Sequence, residues 1–248
     1  MTNEAHPGHV YLVGAGPGDP GLLTLRAAEL LKTCDVILPD DLVSDAVLDL
    51  ASPTAEIIPV GKRCGQPRIT QAGIHDLMLH HAQQEGRSVL RLKSGDPLIF
   101  GRAGEEIAFL REHNIPFEIV PGISTAFAVA AELQTPLTDR TAASKLIFAT
   151  AHHAHSEDKL KLVPNWSGTF PDDATLVIYM PGRAFRSLAD DLIASGIPPG
   201  TPCVAVSKAT TPDQHIHATT LDQMKDEAIG PAPVILLIGR AIQLQSIT

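Results

Sequence analysis

Aromatic side chains are scarce, 4% of 248 residues, which leaves few platforms on which nucleobases could stack. Positive charge is short as well. Nineteen Lys and Arg stand against 28 Asp and Glu, a formal net charge of −9, without the basic footprint of a nucleic-acid binder. Cysteine is limited to Cys34, Cys64 and Cys203. Three thiols far apart frame neither a disulfide scaffold nor a cysteine metal site, and they fit a reducing cytoplasm. No apolar run approaches the length that spans a bilayer. The opening residues, MTNEAHPGH, lack the basic-then-apolar order of a secretion signal. No short-period repeat or low-complexity tract stands out. What is present is ample apolar material, 44% of the chain, enough for one large domain or two modest ones.

Strand and helix signals alternate along the chain. Buried-strand runs stand at 10–13, 36–38, 56–60, 88–92 and 116–120. Helix patterns lie between them at 22–33, 71–85 and 104–113. Such alternation implies a parallel sheet covered on both faces. After Val120-Pro121-Gly122 the pattern restarts, with strands at 145–150, 175–180, 203–207 and 234–239 and a helix at 187–195. The expected architecture is two α/β domains, 8–122 and 123–245. The polar stretch 152–173 reads as a loop.

The first strand runs into GAGPGDPG. Gly14 and Gly16 fit the dinucleotide fingerprint G-x-G-x-x-G, but Asp19 takes its sixth position. Pro17 removes a backbone donor, and Asp19 would set negative charge beside a pyrophosphate. The loop is a poor anion cradle and suits a ligand that is neutral or cationic at the contact. A glycine turn that merely packs is the plainer alternative.

Ligands of open parallel sheets bind beyond the carboxyl ends of the strands. Each such end here carries polar or glycine residues: Gly14–Asp19, Asp40, Lys62-Arg63, Ser94–Pro97 and Pro121–Thr125. Singly each is ordinary turn chemistry; together they mark one crevice at the mouth between the domains. Between Gly61 and Arg102 the basic residues Lys62, Arg63, Arg68, Arg87, Arg91, Lys93 and Arg102 outweigh three acids. That segment is +4 and the rest of the chain −13, so a basic rim for an anionic small molecule is expected. Arg87, at a helix-to-strand turn, fits a solvated face instead. His152, His153 and His155, with His215 and His217 on alternate strand positions, invite a metal reading. No cysteine or carboxylate completes a set, and no metal is expected.

The stretches VGAGPGDPGLLT, DDLVS, VGKR, RLKSGDPLIFGRAGEE, VPGIST, PLTDR, VIYM and TTPDQ, in this order, resemble the uroporphyrinogen III C-methyltransferases. These belong to the tetrapyrrole methylases and also form the C-terminal half of fused siroheme synthases. The resemblance runs from Val10 to Gly239. It implies two α/β domains with the active site in the cleft between them, and a homodimer. It implies S-adenosylmethionine as methyl donor, with S-adenosylhomocysteine as product, a sulfonium ligand compatible with a donor-poor loop. The implied cofactor contacts are Pro17, Ser94, Gly95, Asp96, Ile99, Ser124, Thr125, Met180, Ala209, Pro233 and Val234. Asp40 matches the family's base and Lys62 its proton donor, although Lys62 could equally bind a substrate carboxylate. Arg102, Glu105 and Arg140 match positions on the substrate side, with Arg63 and Met180 as further substrate contacts. Glu105 could instead be a first-turn acid favoured by the helix dipole, and Met180 a core methionine.

The chain departs from the family pattern at several places. Pro39-Asp40-Asp41 stands for Tyr-Asp-Arg, Asp139 for a common histidine, Ala151 for a glycine, and Ser94 and Ala209 for glycines. Asp41 and Asp139 add negative charge where a polyanion would bind. Three functions are therefore weighed. One is methylation of uroporphyrinogen III at C2 and C7 to give precorrin-2. Another is methylation of a different tetrapyrrole such as a later precorrin. The last is a nucleotide-binding or non-catalytic α/β module, against which the Asp19 break and the retention of Asp40, Lys62 and Arg102 count.

Overall fold

β1 (Val10–Gly14) is buried at all five positions, which only a strand covered on both faces allows. The computed structural model describes residues 5–61, 69–151 and 170–243. It divides into two units, Met1–Ser124 and Thr125–Thr248. In the first unit, β1 joins β2 (Val36–Pro39), β3 (Glu56–Ile57), β4 (Val89–Lys93) and β5 (Phe117–Val120). All pair in parallel, in the order β3-β2-β4-β1-β5. The pleat sends alternate residues into two apolar layers. Tyr11 and Val13 pack with Leu30, Leu31 and Val47, whereas Val10 and Leu12 pack with Ile74, Met78 and Leu110. The ladder beside β3 runs on past its named end, since the Ile58 and Val60 amides donate to Ile37 O and Pro39 O at 2.9 and 3.1 Å.

Helix boundaries follow local capping. The helix expected from residue 22 begins later, as α1 (Leu25–Thr33), where the Thr24 hydroxyl accepts from Ala27 N. Asp19 caps a separate 3-10 turn, Pro20–Leu22, accepting from Gly21 N at 2.7 Å. After the short α2 (Asp45–Leu48), α3 (Gln71–Leu79) passes into a π-helical turn, His80–Gln84. α4 (Ala103–Glu112) follows β4.

The second unit holds α5 (Thr125–Glu132), β6 (Lys145–Thr150), β7 (Ala174–Tyr179), α6 (Phe185–Ala194), β8 (Pro202–Ser207), β9 (His215–Thr220) and β10 (Val234–Ile238). Its sheet runs β6-β7-β10-β8-β9. Here parallel pairing is confined to β6 with β7, and the other three pairs are antiparallel. The reason is connectivity. The loop from β8 to β9 is a hairpin too short for a crossover, so β9 must return antiparallel. α6 buries Phe185, Leu188, Ala189 and Leu192, one stripe at helical spacing.

Candidate active site: strand-end loops and a buried charge cluster

At the carboxyl end of the first sheet, three loops are locked backbone to backbone. Gly16 N donates to Gly95 O at 3.2 Å and Gly95 N to Gly16 O at 2.7 Å, while Ala15 N donates to Lys93 O at 2.7 Å. Gly16 and Gly95 hold φ of +69° and +66°, the left-handed region that suits glycine. A Cβ on Gly14 would lie 2.6 Å from Gly122 Cα and from Gly95 O, so only glycine admits this approach. Asp96 closes the set, its Oδ2 accepting from Gly122 N at 3.0 Å and its Oδ1 from Leu98 N at 2.8 Å. The amides of Ala15 and Gly16 are thus spent inside the protein, and Pro17 has none. This loop is not built to cradle a pyrophosphate. Asp19, exposed and occupied as a cap, serves the turn.

Asp40 follows β2 and is tied to β4 through its amide, which donates to Leu92 O at 2.9 Å. β4 reads VLRLK and is buried throughout, and strand alternation sets Arg91 and Lys93 on the face that carries Val89. Neither belongs to a basic rim. Glu106 of α4 meets both, its Oε1 accepting from Arg91 Nε and Lys93 Nζ at 3.0 Å each and from Gln71 Nε2 at 3.3 Å. Arg91 Nη2 then donates to Asp40 Oδ1 at 2.5 Å, and Lys93 Nζ lies 3.9 Å from Asp40 Oδ2. Two cations and two carboxylates balance, as buried charge requires. Side-chain exposure is 2% for Arg91, 2% for Lys93, 0% for Glu106 and 33% for Asp40, so Asp40 is the member of the cluster that reaches the surface. Burial, reinforced by the neighbouring Arg91 charge, pushes the Lys93 ammonium below its ordinary range against Glu106 and Asp40. Burial also pulls on Arg91, but the two carboxylates outweigh it and hold that guanidinium above its ordinary value.

The other expected groups fall as follows. Arg102 and Glu105 engage each other in a fork, Nε to Oε1 at 2.8 Å and Nη2 to Oε2 at 2.7 Å, both about half exposed. That bond lowers the Glu105 carboxyl and raises Arg102. Arg140 is exposed. The Asp139 carboxylate accepts from Thr141 N, Thr141 Oγ1 and Ala142 N at 2.8, 2.6 and 2.9 Å, bonds that hold it below its ordinary range. Arg87 pairs with Glu56 and Glu85 on the surface. Lys62, Arg63, Arg68 and Cys64 lie outside the described residues, as do His152, His153 and His155. Burial pushes the Cys34 thiol up to about 12 and raises Cys203 as well, so neither is a ready nucleophile. Among the described residues, the close group of metal-type ligands is His80, His81 and Glu85, not His215 and His217.

In the second unit, antiparallel pairing gathers residues distant in sequence. Tyr179 lies opposite Ile235, and Ser207 opposite Val234. The residues after β7 and β8 therefore meet the start of β10. Lys208 N donates to Pro233 O at 2.8 Å. Met180, Ala209, Pro233 and Val234 share this end of the sheet, and Met180 is 48% exposed, not a core residue. Gln214 braces the loop, accepting from Thr210 N and donating to Glu132 of α5. Left-handed non-glycine residues mark the same places in both units. Asn114 and Gln134 follow α4 and α5, as helix ends commonly do. Phe100, Arg102, Met180, Lys208 and Thr210 have no such excuse, and strain of this kind gathers at functional sites.

Glu106 and Gln214 are candidates that composition and turn signals pass over, while Arg91 and Lys93 are counted there only as part of a rim. The signal for Glu106 is the RLK inside an otherwise apolar strand, which demands a buried acid opposite; Gln214 leaves no such trace.

The chain is a protein of two open-sheet α/β units, an architecture whose ligands commonly bind at strand-end loops. The model of the Tetrapyrrole (Corrin/Porphyrin) Methylases matches residues 9–225. The S-adenosyl-L-methionine-dependent uroporphyrinogen III methyltransferase of Arabidopsis thaliana chloroplasts is 42% identical over 97% of this chain and 65% of its own length. The siroheme synthase of Nitrosomonas europaea is 41% identical over 98% of this chain and 51% of its own. The chain thus spans half to two thirds of these relatives. The structure of uroporphyrin-III C-methyltransferase from Thermus thermophilus with S-adenosylhomocysteine superposes with a TM-score of 0.75. It is 35% identical, and the match covers 94% of this chain and 92% of that one. The chain belongs to the tetrapyrrole methylase family.

Proposed function

We propose that this protein transfers methyl groups from S-adenosylmethionine to C2 and C7 of uroporphyrinogen III, giving precorrin-2. The carrying observation is the pair of spent amides at Ala15 and Gly16 beside Pro17. A loop poor in free donors suits a sulfonium better than a pyrophosphate, and the Thermus relative carries S-adenosylhomocysteine. When bound, such a ligand supplies an electrophilic methyl. The residues assigned to it are Pro17, Ser94, Gly95, Asp96, Ile99, Ser124, Thr125, Met180, Ala209, Pro233 and Val234. Asp96 contributes its backbone, since both its carboxylate oxygens are taken.

The protein must orient the ring carbon and exclude water, which can lower a barrier by about 7–11 kcal/mol. The alkylated ring carries positive charge and sheds a proton. Asp40 is the proposed base. Its Oδ1 is held by Arg91, so Oδ2 is the oxygen left to receive the proton. Lys62 is assigned the proton-donor role. Arg102, Arg63 and Arg140 bind the carboxylates, and Glu105, which holds the Arg102 guanidinium in a fork, orients that arginine on the substrate side. The Asp139 carboxylate is engaged in its own turn, and Asp41 is the other added negative charge relative to the family pattern. The cytoplasm and a homodimeric state complete the proposal.

S-adenosylhomocysteine should raise the unfolding temperature and NAD should not. At a hundredfold excess over Kd, binding adds about 2.7 kcal/mol, or roughly 5–10 °C for a chain of this size. Protection by NAD alone would contradict the assignment.

A further inference from the structure

We propose that Arg91, Lys93 and Glu106 are positioning residues that act on the reaction through Asp40, an inference that rests on Asp40 being the base. The cluster is layered. Glu106 lies fully buried at the bottom, with three donors converging on Oε1 and, among the described residues, no partner for Oε2. Arg91 and Lys93 form the middle, buried on one face of β4. Asp40 is the top, and part of it reaches the surface.

A structural ion pair has no need for four charges where an apolar strand would serve. Buried pairs are commonly neutral or costly compared with well-packed apolar residues. Leucine at 91 and 93 would continue the apolar layer of Val10, Leu12 and Val89. What apolar residues cannot supply is direction. Arg91 donates Nη1 to Leu38 O at 3.0 Å, Nε to Glu106 and Nη2 to Asp40. The guanidinium plane is thus fixed at three points, and it fixes one Asp40 oxygen. Lys93 lies nearer the other oxygen, at 3.9 Å, and balances charge without closing it off. Glu106 anchors both cations, so its removal should loosen Asp40 without touching the loops that hold the methyl donor.

The test is kinetic. Glu106→Gln should lower kcat tenfold or more, while KM and the Kd of S-adenosylhomocysteine stay within about twofold. In the Asp40→Asn background, measured by single turnover with labelled methyl donor, the same change should cost less than twofold. Arg91→Lys keeps the charge but loses the fork, and it should repeat the kcat loss. An unchanged kcat in Glu106→Gln with an inactive Asp40→Asn overturns this inference alone. Equal slowing by Glu106→Gln in both backgrounds overturns it too. Wild-type turnover in Asp40→Asn overturns the base assignment and this inference with it. If Glu106→Gln and Arg91→Lys both lose S-adenosylhomocysteine binding, the cluster is purely structural and the inference fails.

Discussion

A Cβ on Gly122 would lie 2.8 Å from Gly14 Cα and closer still to Gly95 O. Backbone, not flexible side chain, stands in the way, so Gly122→Ala must push the β1, β4 and β5 loops apart. Overpacking of this kind costs about 1–3 kcal/mol. The urea midpoint should fall accordingly, and S-adenosylhomocysteine affinity with it. An unchanged midpoint and affinity would show that the three loops are not packed as described. The glycines and Asp40 are legible in the sequence, because turn residues after apolar runs announce strand ends. Arg91 and Lys93 are not, because counting charge ignores that β4 is covered on both faces and buries every residue it carries. Glu106 differs from Glu105 by one position, about 100° around a helix. Only the packing of α4 on β4 decides which of the two is buried and which pairs with Arg102.

Between elements, the start of β2 is latched to the start of β4. Asp35 Oδ2 accepts from the Ser88 hydroxyl and amide at 2.6 and 2.9 Å, and Asp35 N donates to Ser88 Oγ at 3.0 Å. The hydroxyl bond above all holds the Asp35 carboxyl below its ordinary 3.8. A depressed carboxyl contributes stability above its unfolded pKa, and that contribution fades as pH falls through the folded value. Asp35→Ala should therefore lower the urea midpoint at pH 7. The gap to wild type should narrow below about pH 4, where the unfolded-state carboxyl protonates. A gap independent of pH would refute the charged latch. At this scale the first sheet is legible from strand–helix alternation, since parallel strands need crossovers. The second is less so. Alternation favours a parallel sheet there as well, but the β8–β9 hairpin and the placement of β10 between β7 and β8 are tertiary choices that leave a weak local trace.

Over the whole molecule, acidic charge and sparse aromatics count against a general nucleic-acid footprint but do not indicate a ligand. No described helix is long and apolar enough to cross a membrane. The family match at 9–225 extends over both units. Left-handed non-glycine backbone occurs in both, at Arg102 in one and at Met180, Lys208 and Thr210 in the other. The proposed activity moves methyl groups from sulfur to a tetrapyrrole carbon. Anaerobic incubation of the protein with uroporphyrinogen III and isotopically labelled S-adenosylmethionine tests it, with the tetrapyrrole product weighed by mass spectrometry. Two labelled methyl groups per macrocycle are predicted, and a macrocycle recovered at its starting mass from enzyme that binds S-adenosylhomocysteine would contradict the account.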